Sequence, residues 1–197
     1  MKSFLHVGCG HLNKSHAKGF DNDNWSEIRF DIDKNVNPDI EGTLLDMSAV
    51  ETGSIDAIYS CHNIEHVFPH EVAVVLKEFL RVLNDDGMVV VLCPDLQSVA
   101  ESILQDKLLD PLYESDAGPI APIDILYGLR LDLEKGNHYM AHKCGFTYSS
   151  LLGCFIRAGF KKWIGGRKPD IYELCLVACK GEKSNEELNT LASQFLP

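Results

Sequence analysis

The segment at positions 60–71, SCHNIEHVFPHE, places histidines and a glutamate at a spacing that could hold a metal ion. His62, Glu65 and His66 form the pattern H-x-x-E-H, in which two imidazoles bind Zn²⁺ and the carboxylate acts on a water molecule. In a zinc peptidase of this kind the two histidines project from one face of a continuous helix. The function of these residues therefore depends on the element that carries them.

The residues on either side of this motif predict a loop rather than a helix. An apolar run at 55–61 is typical of a strand and ends immediately before His62. Pro69 follows shortly after His66, and proline is suited to the start of a helix, not to its middle. The sequence therefore disfavours a zinc peptidase and predicts no metal site. A hydrogen-bonded structural role is the simpler interpretation of His66, with general base as the alternative.

Short apolar runs alternate with polar loops along the first half of the chain, which predicts an α/β fold. Strands are expected at 4–7, 26–32, 40–45, 55–61 and 88–93. The clearest helix runs from Val72 to Leu83, because apolar residues recur there at spacings of three and four. Strand, helix and apolar strand in succession indicate parallel strands joined by crossover helices.

Residues suited to holding a ligand follow the ends of the first two predicted strands. Gly8-x-Gly10 comes directly after the first, and glycine lets the backbone approach a ligand closely. Asp31 ends the second, where its carboxylate could accept two hydrogen bonds from a ribose diol. Each signal is weak alone, because both patterns are common in ordinary turns. The carboxyl ends of parallel strands meet at one crevice, so we expect these residues to lie together.

The next two strands end in further candidates. Asp46 and Met47 follow the third strand, where they could bond an exocyclic amine and pack against a purine ring. Cys61 and His62 end the fourth and would close the same pocket. Four successive strand ends thus predict one nucleoside-sized site.

Composition excludes several classes of protein. The 197 residues suffice for one sizeable core, and 45% of them are apolar. The net charge of −11 disfavours nucleic acid and anionic lipid as partners. No apolar run is long enough to span a membrane, and the start of the chain does not read as a signal peptide. The seven cysteines are odd in number and lack a C-x-x-C pair, which favours reduced thiols in a cytoplasm.

Five stretches together carry a family resemblance. They are VGCG, RFDID, LLDMS, SIDAIYSCHNIEHV and LKEFLRVLNDDGMVVVLCPD, all between positions 7 and 95. In this order they resemble a class I S-adenosylmethionine-dependent methyltransferase of the methyltransferase type 11 group. The resemblance implies a Rossmann-like α/β fold, in which a seven-stranded, mostly parallel sheet carries helices on both faces in a three-layer sandwich. The last hairpin is antiparallel in that family, and 160–165 and 172–179 are suitable for its strands.

The resemblance also implies S-adenosylmethionine as cofactor and gives each strand end a role. The first loop would contact the methionine part, the second the ribose, the third the adenine, and the fourth the methionine amino group or the sulfonium side. The residues expected to bind the cofactor are Gly8, Cys9, Gly10, Asp31, Ile32, Asp46, Met47, Cys61 and His62.

The sequence departs from the family pattern at three places. His6 stands where an acidic residue is common, and His11-Leu12 stands where the family has a third small residue. The segment 34–41 is also short for a helical crossover, which commonly takes about a dozen residues. Either that connection is a bare loop or the third strand lies elsewhere.

A long irregular stretch at 106–145 is expected to form a substrate lid within a single domain of residues 1–197. His138 and His142 are the candidates for a base or a substrate contact, together with His66. Tyr127 and Tyr139 are expected to form walls for the substrate.

Two helices are expected beyond the lid. One opens near Thr147 and ends at Gly159. The other lies within 181–197, where Ser184 and Glu187 form a capping box, and it is expected to dock on its own domain.

These observations predict a methyltransferase that acts on a small-molecule or saccharide acceptor, with no nucleic acid or membrane partner and with the oligomeric state open. One alternative is a nicotinamide-dependent oxidoreductase, because G-x-G and a strand-end aspartate also suit a dinucleotide. The missing third glycine counts against it. The other alternative is a scaffold that binds the cofactor without turnover.

Overall fold

The computed structural model of the chain describes residues 1–115 and 117–197. The strands are β1 (Lys2–Val7), β2 (Trp25–Asp31), β3 (Ile40–Glu41), β4 (Ile55–Cys61), β5 (Leu83–Pro94), β6 (Tyr113–Ser115), β7 (Gly118–Ile120), β8 (Lys162–Lys168) and β9 (Glu173–Cys179). The α-helices are α1 (Val72–Val82), α2 (Leu96–Leu104), α3 (Pro122–Tyr127), α4 (Arg130–Glu134), α5 (Tyr148–Ala158) and α6 (Asn185–Phe195). None of the helices in these residues combines the length and apolar character needed to cross a bilayer.

Seven strands form one mostly parallel sheet in the order β3-β2-β1-β4-β5-β9-β8. The pairs from β3 to β5 are parallel, whereas β9 runs antiparallel to both β5 and β8. The predicted Rossmann-like fold with an antiparallel last hairpin is therefore confirmed. Because β1 and β4 lie at the centre and the chain winds outwards on both sides, their carboxyl ends open on one crevice.

Helix α1 packs one face of the sheet because its apolar residues form a single stripe. Val72, Val75, Leu76 and Phe79 are all buried, and they join a core that includes α5 and the inner residues of β4 and β5. The helix ends at Val82, where the chain turns directly into β5. This arrangement fixes the turn between β4 and α1, which carries the H-x-x-E-H motif.

An aromatic cluster covers the opposite face of the sheet. The ring of Phe20 lies 4.3 Å from that of Phe4, 4.9 Å from that of Trp25 and 4.8 Å from that of Phe195, measured between centroids. Phe195 belongs to α6, whose predicted capping box forms between Ser184 and Glu187. The C-terminal helix thus docks on its own sheet, and helices cover both faces as predicted.

Strand β3 and helix α2 differ from the sequence-based expectations, whereas the connection before β3 takes one of the two forms expected. Strand β3 ends at Glu41 rather than at Leu45, because the chain turns after the hydrogen bond from Gly42 N to Asp31 O. The connection before it holds a single 3₁₀ turn, Lys34–Val36, so the short crossover is a bare loop. Helix α2 was not expected, although Asp95 caps its first turn by accepting a hydrogen bond from Gln97 N.

The stretch expected to form a lid contains the β6–β7 hairpin, α3, α4 and a 3₁₀ turn at His138–Met140. One of its residues, Asp116, lies outside the described residues. Asp124 is buried and pairs with Arg130 at 2.7 Å, which ties α3 to α4. Gly128 lies against the backbone of Met140, where a Cβ atom would meet the carbonyl oxygen at 1.9 Å. These contacts give the lid a defined shape.

A buried ion pair ties the end of β5 to the last hairpin. The Asp95 carboxylate is 0% exposed and accepts hydrogen bonds from Arg167 Nε at 2.6 Å and from Ser98 Oγ at 2.7 Å. Arg167 also donates to Ser98 Oγ at 3.0 Å. The guanidinium is the cation that compensates this buried charge, so its removal should be costly.

Arg167→Gln is therefore expected to lower the free energy of unfolding by about 3 kcal/mol, because it leaves a buried carboxylate without its cation. Urea unfolding followed by circular dichroism measures the change. Lys168→Gln is the matched control, since Lys168 is the next residue and is exposed. Equal stability of the two variants would contradict this role of the pair.

Candidate functional site

A cavity of about 680 Å³ opens at the carboxyl ends of β1, β2 and β4, beneath the lid. Its sheet side is lined by Gly8, Gly10, His11, Phe30, Asp31, Ile32, Asp33, Val36, Gly42, Thr43, Leu44, Leu45, His62, Asn63, His66, Val67 and Glu71. Its lid side is lined by Asp132, Lys135, Asn137, Tyr139, Met140 and Lys143. The volume is within the range of about 300–1,000 Å³ that small-molecule sites occupy.

The loop after β1 is held by its glycines and by Asp31. Gly8 has a φ of +64°, and a Cβ atom there would lie 2.4 Å from the side chain of Asn63. Gly10 has a φ of +52°, with no atom within 4 Å of where its Cβ would be. Its N–H donates to Asp31 Oδ2 at 2.8 Å, and the N–H of Asp33 donates to Oδ1 at 2.8 Å. Each Asp31 oxygen retains a second lone pair, which can accept a hydrogen bond from a ligand hydroxyl.

The residues that line the cavity after the third strand are not the ones expected from the sequence. Because β3 is short, the cavity is lined there by Thr43, Leu44 and Leu45. Met47 is fully buried in the core, and the exposed Asp46 accepts the N–H of Ser48 at 3.0 Å, so that neither residue is part of the lining. The hydrogen bond from Ser48 lowers the pKa of the Asp46 carboxyl.

The two cysteines predicted at the cavity lie behind it. Cys9 is 1% exposed, and burial raises the pKa of its thiol to about 11. Cys61 is half-buried, and burial raises the pKa of its thiol as well. Neither cysteine is part of the lining. At the end of β4 the cavity is lined by His62 instead.

His62 lines the cavity in a backbone conformation that is rare for residues other than glycine. Its φ is +48°, and its Nε2 lies 3.0 Å from Glu173 Oε1 on β9. Desolvation would lower the pKa of His62, but the carboxylates of Glu173 and Glu65 outweigh it and raise that pKa well above the usual value. His62 therefore places a positive charge at the rim of the cavity.

Sequence reasoning missed Asn63, which lines the cavity beside Gly8. Its side-chain nitrogen is buried and finds no hydrogen-bond partner among the described residues. A buried amide donor without a partner is available to a ligand acceptor. Its place directly after His62 at a strand end was the signal that could have indicated it.

Of the two lid tyrosines expected to form walls for the substrate, one lines the cavity. Tyr139 lines it, whereas Tyr127 is 63% exposed and lies outside the lining. The lid also contributes Asn137 and Lys143, which were not singled out from the sequence.

Among the three histidines predicted as catalytic candidates, His66 is the one that lines the cavity. Its ring nitrogens lie 3.1 Å from Ala141 O and 3.2 Å from His62 O. His138 is exposed on the lid, outside the lining. His142 is outside the lining, with its Nδ1 2.7 Å from Ile125 O, and burial lowers the pKa of its ring.

Glu65 lies behind these histidines and is 1% exposed. Burial alone would raise the pKa of its carboxyl, but the surrounding histidines, chiefly His62, outweigh burial and hold that pKa below its usual value. The motif Ile64–His66 forms a 3₁₀ turn rather than a helix, as the sequence predicts. The geometry of a zinc peptidase is therefore not formed by these residues.

Comparison with known proteins agrees with this geometry. Residues 5–91 match the sequence profile of a methyltransferase domain family, the methyltransferase type 11 group. No curated protein sequence matches the chain significantly.

Several solved structures share the fold. A SAM-dependent methyltransferase from Methanosarcina mazei has a TM-score of 0.59 at 15% identity, over 92% of this chain and 93% of that one. A possible histamine N-methyltransferase from Thermotoga maritima has a TM-score of 0.56 at 13% identity, over 91% and 82%. A 1,6-didemethyltoxoflavin-N1-methyltransferase from Burkholderia thailandensis, solved with bound 1,6-didemethyltoxoflavin and S-adenosylhomocysteine, has a TM-score of 0.55 at 14% identity, over 91% and 71%.

At these identities the structural likeness shows the fold, and the sequence profile shows that residues 5–91, which form the sheet side of the cavity, are similar to a methyltransferase domain. The chain therefore resembles the class I S-adenosylmethionine-dependent methyltransferases, in sequence over residues 5–91 and in fold over 92% of its length.

Proposed function

We propose that the cavity binds S-adenosylmethionine and that the protein transfers its methyl group to a small, polar acceptor, with saccharides as the favoured class. The main support for this proposal is the cavity rim at Gly10 and Asp31. The backbone there has no side chain, and its N–H donates to the Asp31 carboxylate and so orients it. That pair matches the methionine and ribose parts of the cofactor.

The cofactor would lie along the strand ends from β4 to β3. The ribose hydroxyls would donate to the free lone pairs of Asp31, while Gly8 and Gly10 leave room for the methionine chain. The buried Asn63 amide would donate to the methionine carboxylate. The adenine would pack between Ile32 and Leu44, whose side chains face the cavity where the sequence suggested Asp46 and Met47.

The acceptor would bind on the lid side. Asn137, Lys143 and Lys135 supply hydrogen-bond donors there, and Asp132 supplies an acceptor. Tyr139 adds an aromatic ring that is 56% exposed and free to pack against a ligand. Several polar groups beside one ring suit an acceptor with hydroxyl groups. The Thermotoga and Burkholderia proteins are also named for small acceptors, histamine and 1,6-didemethyltoxoflavin.

The chemical step would depend mainly on positioning. The attacking atom would approach the sulfonium methyl in line with the bond that breaks, the sulfonium would leave as a neutral thioether, and the proton of the acceptor would pass to a base or to water. Holding both reactants in one cavity supplies most of what such a displacement needs. Closure of the lid over the reactants would exclude water, which competes as a nucleophile.

Calorimetry with S-adenosylhomocysteine and NAD tests the cofactor assignment. We expect one equivalent of S-adenosylhomocysteine to bind and NAD to give no comparable signal. Tight binding of NAD without a response to S-adenosylhomocysteine would overturn the proposal in favour of an oxidoreductase.

Transfer of a labelled methyl group from S-adenosylmethionine tests turnover. We expect labelled product with at least one member of a panel of monosaccharides, nucleotide sugars and small amines, and none with nucleic acid. Binding of S-adenosylhomocysteine without any labelled product across the panel would favour the scaffold that binds the cofactor without turnover.

Asp31→Asn is expected to weaken S-adenosylhomocysteine binding about 10–100-fold, since hydrogen bonds to a charged acceptor contribute about 1.5–3 kcal/mol. The amide keeps the size of the carboxylate, but its nitrogen cannot accept the N–H of Gly10 or Asp33, so circular dichroism must verify that the variant is folded. Asp21→Asn is the control, because Asp21 is exposed and outside the cavity lining. Calorimetric affinities that are equal for both variants would rule out Asp31 as the ribose ligand.

Gly10→Ala and Gly53→Ala form a matched pair. Both glycines have positive φ, +52° and +69°, and an added Cβ meets no atom within 4 Å at either. Each variant should therefore lose about 1 kcal/mol of stability, because left-handed backbone is costly for alanine. Only Gly10 lines the cavity, so only Gly10→Ala should also weaken S-adenosylhomocysteine binding, by at least about tenfold.

Thermal unfolding and calorimetry on the same preparations separate the two effects. An equal affinity in both variants would show that the cofactor does not approach the backbone at Gly10.

A further inference from the structure

Three side chains converge between the β4–α1 turn and the lid, at a place the cofactor proposal does not use. Glu65, His66 and His142 each offer one potential metal-ligating atom, and these atoms all lie within 4.8 Å of one another. We call these residues the histidine–glutamate cluster. His142 comes from the lid and the other two come from the turn, so the cluster joins segments 76 residues apart, as measured from His66 to His142.

Both carboxylate oxygens of Glu65 are buried, and neither has a hydrogen-bond partner among the described residues. The nearest basic nitrogens are His62 Nδ1 at 3.6 Å and His142 Nε2 at 4.0 Å, which are beyond hydrogen-bond length. Burying a carboxylate away from water is costly unless a cation or hydrogen-bond donors compensate its charge. The His62 ring, 3.6 Å away, compensates part of this charge, and a cation held among Glu65, His66 and His142 would compensate it directly.

His142 presents a lone pair to this carboxylate. Its Nδ1 lies 2.7 Å from Ile125 O, and because that carbonyl can only accept, Nδ1 must carry the proton. In a neutral ring, Nε2 is then an acceptor, and it faces another acceptor, Glu65 Oε1. A histidine whose second nitrogen donates to a backbone carbonyl is the usual arrangement of a metal ligand.

His66 also has a lone pair that faces a hydrogen-bond acceptor. Its two nitrogens face two carbonyl oxygens, those of Ala141 and His62, at 3.1 and 3.2 Å. A neutral imidazole donates through one nitrogen only, so the lone pair of the other points at an oxygen. The lone pair of His142 Nε2 thus faces Glu65 Oε1, and one potential ligand atom of His66 lies within 4.8 Å of both residues.

We propose that the histidine–glutamate cluster binds one divalent transition-metal ion, with Zn²⁺ as the representative, through Glu65, His66 and His142. Two imidazoles and one carboxylate are a ligand set that suits Zn²⁺ and Fe²⁺. Bonds of about 2.0–2.2 Å place neighbouring ligand atoms roughly 3–3.5 Å apart, so the 4.0 Å gap between Glu65 and His142 closes with a small side-chain shift.

This assignment gives the H-x-x-E-H motif a different use from that of a peptidase. Glu65 is a ligand, whereas His62 turns towards Glu173 at the cavity rim. It also departs from the sequence-based expectation of no metal site, because the third ligand is supplied by the lid.

The bound ion would fasten the lid to the central sheet. The backbone already makes a contact here, since Lys143 N and Cys144 N donate to Glu65 O at 2.8 and 3.1 Å. A metal ion bound by both His142 and Glu65 would add a link between side chains beside these hydrogen bonds. The inference stands on the cluster alone and does not depend on the methyltransferase assignment.

Calorimetric titration of the chelator-treated full chain with Zn²⁺ tests the proposal. We expect one equivalent to bind, and we expect His142→Gln and Glu65→Gln each to weaken it by at least the ~10–100-fold that loss of an outer-shell partner costs. His70→Gln is the matched control, because His70 is an exposed histidine in the same segment and outside the cluster. Zn²⁺ should also raise the midpoint of thermal unfolding of the wild type and of His70→Gln, but not of the two ligand variants.

Circular dichroism verifies that each variant is folded. If His142→Gln fails to fold, Glu65→Gln decides, because it keeps the shape of the side chain and removes a buried charge. The proposal would be overturned if the wild type did not bind Zn²⁺ or if Glu65→Gln bound it with unchanged affinity. Protonated histidines would then be the cations that compensate the charge of Glu65.

Discussion

The carboxylate of Asp31 is the interaction on which the rim of the cavity depends. One of its oxygens holds the N–H of Gly10 in the loop after β1, and the other holds the N–H of Asp33 in the loop after β2. Arg29 reinforces the same junction, since its guanidinium donates to the carbonyl oxygens of Gly10 and Asn37. Two loops that belong to different strands are therefore joined into one edge of the cavity.

This constraint explains why the sequence predicts the cofactor side of the site better than the lid side. The ends of β1 and β2 follow from apolar runs bounded by glycine or aspartate, and β4 has the predicted bounds, Ile55–Cys61. The predicted end of β3 was wrong. Gly42 packs against the ring of Phe30, and the chain turns there, so that Leu44 and Leu45 do not extend the strand. Leu44 and Leu45 therefore reach the cavity where Asp46 and Met47 were expected.

The contacts that join distant segments could not be predicted from local patterns. His62 pairs with Glu173 across 111 positions, and Arg167 pairs with Asp95 across 72. Neither pair has a periodicity or a turn signal, and both depend on how β9 and β8 align beside β5. The same holds for His142, which was expected at a substrate and instead faces Glu65. The spacing of H-x-x-E-H identified two members of that cluster, while the third required the path of the lid.

A crystal structure of the protein with S-adenosylhomocysteine tests the central claim most directly. The account predicts that both ribose hydroxyls lie within about 3.2 Å of the Asp31 carboxylate, at hydrogen-bond length. It also predicts that the homocysteine chain passes over Gly10. A ligand bound elsewhere, or an adenosyl group in this cavity whose ribose lies away from Asp31, would contradict it.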